Sequence, residues 1–169
     1  NGLDADSAAM TEPMAVALHA VRRSRVKTSE PAIVIGCGPV GLGVILMLKA
    51  AGVKTVVASD FSPNRRKLAE QCGADIVVDP KETSPFANWK EFGLLGNVSD
   101  AINIGMGLFD KLQATRLPWW HGWRMIDKLG ALPKRPVIFE CVGVPGVLQQ
   151  IIEGAPLFSR IVGVGVCMQ

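Results

Sequence analysis

Ile33-Val34-Ile35 leads directly into Gly36-Cys37-Gly38-Pro39-Val40-Gly41, and that turn continues without a break into Leu42 to Ala50. An apolar β-branched run, a Gly-x-Gly-x-x-Gly turn and a longer apolar run confine the chain to strand, tight turn and helix. The three glycines play separate roles. Gly36 permits the turn, Gly38 lets a pyrophosphate approach the backbone, and Gly41 lets helix and strand pack closely. Free amides and the positive end of the helix dipole then face the phosphates. A second apolar run, Thr55 to Ser59, ends in Asp60. This acid stands about 20 residues after Gly41, the spacing at which a carboxylate accepts hydrogen bonds from ribose hydroxyls. A merely structural glycine turn does not require that acid, so the pattern reads as a dinucleotide site. Gly36, Gly38, Pro39, Val40, Gly41 and Asp60 are its candidate residues.

The remaining chain repeats the alternation. A turn at Phe61 to Asn64 precedes a helix from Arg65 to Gln71 that closes at Cys72-Gly73. A third strand, Asp75 to Asp79, ends at Pro80; a fourth, Pro136 to Cys141, leads into a helix from Val147 to Glu153; a fifth runs from Arg160 to Val166. Short apolar strands separated by helices predict an α/β fold, a doubly wound parallel Rossmann sheet covered on both faces. About five strands of the order 3-2-1-4-5-6 are present, with the sixth missing. One domain over residues 1–169 is expected, with a leading helical segment over 1–30 and a helical insertion over 81–135. In the leading segment, Asp4 to Ser7 and Glu12-Pro13 are helix starts. His19 lies within that segment and reads as a core or boundary histidine rather than a catalytic one.

A simple crossover between Pro80 and Pro136 needs far fewer residues. Ile102, Met106 and Phe109, beside Ile104, Leu108 and Leu112, give a broad apolar helical face, and a second short helix is predicted from Trp119 to Gly130. All four tryptophans, Trp89, Trp119, Trp120 and Trp123, fall in this insertion. The expectation is a small satellite core, with a substrate lid or an oligomer contact as alternatives.

A 169-residue chain that is 49% hydrophobic can bury one sizeable core. Its net charge of +3 requires neither nucleic acid nor a membrane surface as partner. No apolar run reaches membrane-spanning length, and the start does not resemble a signal peptide. The four cysteines, Cys37, Cys72, Cys141 and Cys167, contain no Cys-x-x-Cys pair and read as reduced thiols of a cytoplasmic protein. The start at Asn1-Gly2-Leu3, without methionine, suggests a piece of a longer polypeptide.

At Glu12-Pro13-Met14-Ala15-Val16-Ala17-Leu18-His19-Ala20, Gly36 to Gly41, Cys72-Gly73-Ala74-Asp75 and Glu140-Cys141-Val142-Gly143 the chain resembles the zinc-containing alcohol dehydrogenases of the medium-chain dehydrogenase/reductase family. The likeness covers residues 1–80 and 136–169, not the insertion. It implies NAD as cofactor, zinc in the full-length enzyme, an alcohol, aldehyde or ketone substrate, and a homo-oligomer. It further implies an N-terminal catalytic zinc domain, absent from this chain, that carries the catalytic residues and zinc cysteines, so no catalytic residue is assigned here. Glu12 matches an acidic zinc ligand or near-zinc carboxylate of the polyol-dehydrogenase-like branch, or is a helix-start carboxylate. Arg65 matches a basic position near the ribose, or is a solvated helix-start arginine. Cys141-Val142 should border the adenosine, and Val164-Gly165-Val166 the nicotinamide. A zinc-free reductase of the same family and a non-catalytic nucleotide-binding module are the competing functions.

Overall fold

A strand whose residues are apolar without interruption can bury both of its faces at once, and such strands form the centre of this protein. The computed structural model describes residues 2, 4–87, 91–114 and 134–165, excepting the side chains of Leu108 and residues 111–114. Its five strands are β1 (Ala32–Ile35), β2 (Val56–Ser59), β3 (Ile76–Val78), β4 (Val137–Glu140) and β5 (Arg160–Gly163). They form one parallel sheet in the order β3-β2-β1-β4-β5, with Ile33 opposite Val57 on one side and Ile138 on the other. The expected Rossmann order is therefore present, and the order reverses between β1 and β4.

Six helices lie among the described residues: α1 (Ala5–Ala9), α2 (Thr11–Ser24), α3 (Pro39–Ala50), α4 (Pro63–Gln71), α5 (Val98–Ala114) and α6 (Val147–Gly154). Val34, Val56, Ala58 and Phe139 pack with Ala17 and Val21 of α2 and Val44 and Leu48 of α3. On the opposite face Ile33, Val57 and Ile138 pack with Ile151 of α6 and with Phe86 and Phe92. Adjacent strand residues thus belong to different cores, which is why the runs are apolar throughout rather than alternating. At Gly43 a Cβ would stand 3.1 Å from the Ala17 Cβ, so α3 and α2 approach to near backbone contact there.

Several boundaries differ from the sequence expectation. Helix α4 begins at Pro63, not Arg65, because Ser62 is its N-cap and accepts from the Arg65 amide. Helix α2 begins at Thr11, just before Glu12-Pro13. Strand β5 ends at Gly163, short of the expected Val166: the Val164 amide makes the last ladder bond, to the Glu140 carbonyl oxygen at 2.8 Å, and the Gly165 amide turns onto the same oxygen at 2.9 Å, which breaks the alternation. In the insertion, α5 is present, with Ile102, Ile104, Met106 and Phe109 44 to 62% exposed; the remainder of the expected satellite core lies outside the described residues. The second insertion helix and all four tryptophans lie outside the described residues, as do Val166 and Cys167. Cys37, Cys72 and Cys141 are free thiols.

Candidate functional site

The carboxyl ends of β1, β2 and β4 meet at the reversal of strand order, the place where an open α/β sheet leaves a crevice. Gly36 has φ +92°, a left-handed value that a side chain disfavours, and donates its amide to the Ser59 carbonyl oxygen at 2.8 Å. A Cβ on Gly41 would overlap the Gly36 carbonyl oxygen. Turn and helix can therefore close only with glycine at Gly41. Gly38 differs from both: a Cβ built there meets nothing within 4 Å. Open space over that backbone is what close approach of a pyrophosphate needs, in keeping with the sequence spacing.

Helix α3 presents its N-terminus to this space. Gly38 is its N-cap without a side-chain capping bond, Pro39 starts the helix, and the first turn holds no acidic residue. The Leu42 amide is the first to close a helical bond, to the Gly38 carbonyl oxygen at 2.9 Å. Neither a capping side chain nor an acid of its own turn offsets the helix dipole, and an anion at this end is stabilised.

Asp60, 8% exposed, follows β2 and holds this turn through both carboxylate oxygens. Its Oδ2 accepts from the Cys37 amide at 2.8 Å and its Oδ1 from the Ser62 amide at 2.7 Å. Each oxygen retains a lone pair for a ribose hydroxyl. The Arg65 guanidinium, 57% exposed at the side chain, stands 3.8 Å from Oδ2. Behind Asp60, Arg66 Nη1 lies 2.9 Å from the carbonyl oxygens of Asp60 and Phe61 and 2.9 Å from Asp79 Oδ2, tying the ends of β2 and β3 together.

A cavity of about 590 Å³ opens here, its wall including Gly36, Gly38, Asp60, Arg65, Cys141 and Val142. Half of the sequence-derived set thus lines one space. Pro39, Val40, Gly41, Val164 and Gly165 stand outside its wall, and Val166 is outside the described residues. The far wall is formed by Pro80 after β3 and by residues that the sequence pattern does not mark as site residues, Pro85 and Phe86 from the start of the insertion and Gln150 of α6. Nothing in their spacing marks them; only the fold brings them across. Burial and the neighbouring Asp60 carboxylate push the Cys37 thiol up to about 12, and burial and Glu140 do the same for Cys141. Both thiols are protonated, non-nucleophilic packing groups.

Glu140 was also missed, although a charged residue closing an apolar run is a visible signal. It is 7% exposed, and its Oε1 accepts from the Val142 and Gly143 amides at 2.8 Å each. Glu12 is exposed in the first turn of α2, and His19 is exposed as well. No group of three His, Cys, Asp or Glu side chains able to hold a metal occurs among the described residues.

This sheet order, the glycine turn at its reversal and the acid after β2 define a Rossmann nucleotide-binding fold. The family described as zinc-binding dehydrogenase matches residues 39–106. The (R,R)-butanediol dehydrogenase of Bacillus subtilis is 51% identical over 164 residues, covering 97% of this chain and 36% of that protein. Sorbitol dehydrogenase of Ovis aries is 34% identical over 110 residues, covering 64% of this chain and 31% of that protein. The crystal structure of 2R,3R-butanediol dehydrogenase from Bacillus subtilis superposes with a TM-score of 0.61 and 34% identity over the residues paired in space, covering 99% of this chain and 37% of that one. The chain belongs to the zinc-type medium-chain alcohol dehydrogenase family. It spans about a third of the length of these relatives.

Proposed function

We propose that this chain is the NAD(H)-binding domain of a zinc-dependent dehydrogenase that oxidises a secondary alcohol of a small diol or polyol, or reduces the matching carbonyl. The observation that carries this reading is the continuous cavity that joins the open backbone of Gly38 to the carboxylate of Asp60. Gly38 and the first turn of α3 hold the pyrophosphate, and Asp60 accepts from the adenosine ribose hydroxyls. Its negative charge opposes a 2′-phosphate and favours NAD, although one solved relative at 25% identity, from Sinorhizobium meliloti, is described as bound to NADP. Arg65 flanks the same ribose, Cys141 and Val142 border the adenosine, and Val164, Gly165 and Val166 border the nicotinamide. When bound, NAD supplies the hydride acceptor, and the protein's part is to fix the position and face of the nicotinamide ring.

Zinc in such an enzyme polarises the alcohol oxygen as a Lewis acid. Its principal ligands belong to a catalytic domain outside these residues, and Glu12 is the one contributor proposed here. The diol or polyol class is supported by the relatives' names, butanediol and sorbitol dehydrogenase. A homo-oligomer is proposed from the open edge of β5, whose only strand partner among the described residues is β4. A cytoplasmic setting is proposed from the free thiols. No helix among the described residues is long and apolar enough to cross a membrane.

The test is calorimetric titration of the 169-residue chain with NADH, beside an assay for NADH production from butanediol and sorbitol. Binding without turnover is expected. Steady-state oxidation by this chain alone contradicts the placement of zinc chemistry outside it.

A further inference from the structure

Glu140 carries more bonds than the end of a strand needs. Its side-chain Oε1 accepts from the amides of Val142 and Gly143, and its main-chain oxygen accepts from the amides of Val164 and Gly165. One residue therefore gathers four amides from two segments, the connection from β4 to α6 and the chain leaving β5. These segments also touch directly. A Cβ on Gly165 would overlap the Gly143 amide nitrogen and stand 2.7 Å from the Gly143 Cα and 2.9 Å from Glu140 Oε2. Gly143 itself has φ +69°, so the connection is bent toward that contact.

A carboxylate that is 7% exposed is costly to bury, and hydrogen bonds from amides offset that cost. Removal of the carboxylate leaves the Val142 and Gly143 amides without an acceptor, so the connection from β4 to α6 is freed from the chain leaving β5, whose own main-chain bonds persist. Ordinary strand termination needs only the main-chain bonds, which any residue at this position supplies.

We infer that Glu140 is a positioning residue that locks these two segments into one rigid rim, and so sets the place of the nicotinamide half of a bound dinucleotide. The inference rests on the NAD(H) reading above. The adenosine half, although bordered by Val142, keeps a second anchor in Asp60 and the Gly36 to Gly41 turn, whose bonds do not involve Glu140, whereas the nicotinamide half has only the rim. Loss of the rim should therefore be felt unequally by the two halves.

The experiment measures binding of NADH and of AMP to wild type, Glu140→Ala and Glu140→Gln, with thermal unfolding of each. For Glu140→Ala, NADH affinity should fall about tenfold or more while AMP affinity changes less than about threefold, the size expected when buried amides lose their acceptor. Glu140→Gln retains an acceptor oxygen and should restore NADH binding to within about threefold of wild type. If Glu140→Ala does not fold, Gly165→Ala drives the same two segments apart from the other side and should reproduce the unequal loss. Equal losses for AMP and NADH, or unchanged NADH affinity in a folded variant, overturn the inference. Wild type that binds AMP but gains nothing from the nicotinamide half also overturns it; wild type that binds neither overturns the NAD(H) reading instead.

Discussion

Three glycines of one turn answer to three different constraints, and substitution separates them. At Gly41 a methyl group has no room against the Gly36 carbonyl oxygen, so Gly41→Ala should destabilise the fold by about 1–3 kcal/mol, as overpacking does, seen as a lower denaturation midpoint. Asp60 combines two functions at one carboxylate. Asp60→Ser removes the acceptors of the Cys37 and Ser62 amides, and should cost about 1–3 kcal/mol of stability. It also removes a charge near the 2′ position, so the affinity for NADP should rise relative to NAD; an unchanged ratio would place the selection with Arg65 or Arg66. The thiols give a pH signature. An unfolded cysteine ionises near 9.0, whereas burial holds Cys37 and Cys141 protonated up to about 12. Between these values the native state keeps protons that the unfolded state releases, so their contribution is intact below pH 9 and is lost as pH rises toward 12. Urea midpoints measured near pH 8 and near pH 10 should show this fall, and it should shrink in the Cys37→Ala, Cys141→Ala double variant.

Helix starts and sheet edges carry their own consequences. The Ser62 cap begins α4 directly after Asp60, so the same turn that shapes the ribose site also nucleates the helix. Ser62→Ala should cost about 1 kcal/mol in the urea midpoint, typical of a lost N-cap. Strand β5 leaves its outer edge open among the described residues, and open edges invite pairing with another chain. Val164 is a poor probe of that edge, because it is packed against the core. Gly163 is a better one, since a Cβ there meets nothing within 4 Å. Sedimentation over a concentration series should show self-association, and Gly163→Lys should weaken it. Association indifferent to that lysine would shift attention to the exposed apolar face of α5.

For the molecule as a whole, the strands and their order are legible in the sequence because the relevant signals are local. A β-branched run such as Ile33-Val34-Ile35 and the glycine spacing after it each speak for themselves. The insertion is harder because its apolar residues sit at helical spacing whether or not anything covers them, and periodicity cannot tell a buried face from an exposed one. The site divides along the same line. Asp60 and Gly38 are readable from spacing, whereas Phe86 and Gln150 reach the cavity only through long-range packing, and the double use of the Asp60 oxygens depends on turn geometry. The central claim is that this cavity binds a dinucleotide over the open backbone of Gly38. Gly38→Val tests it most directly, because φ at Gly38 is −72° and the space beyond is empty, so the fold tolerates the side chain that the ligand cannot. In calorimetric titration the wild-type chain should bind one NADH, and Gly38→Val, with an unchanged unfolding transition, should bind none. Equal NADH affinity in the two proteins, or no binding by folded wild type, would contradict that claim.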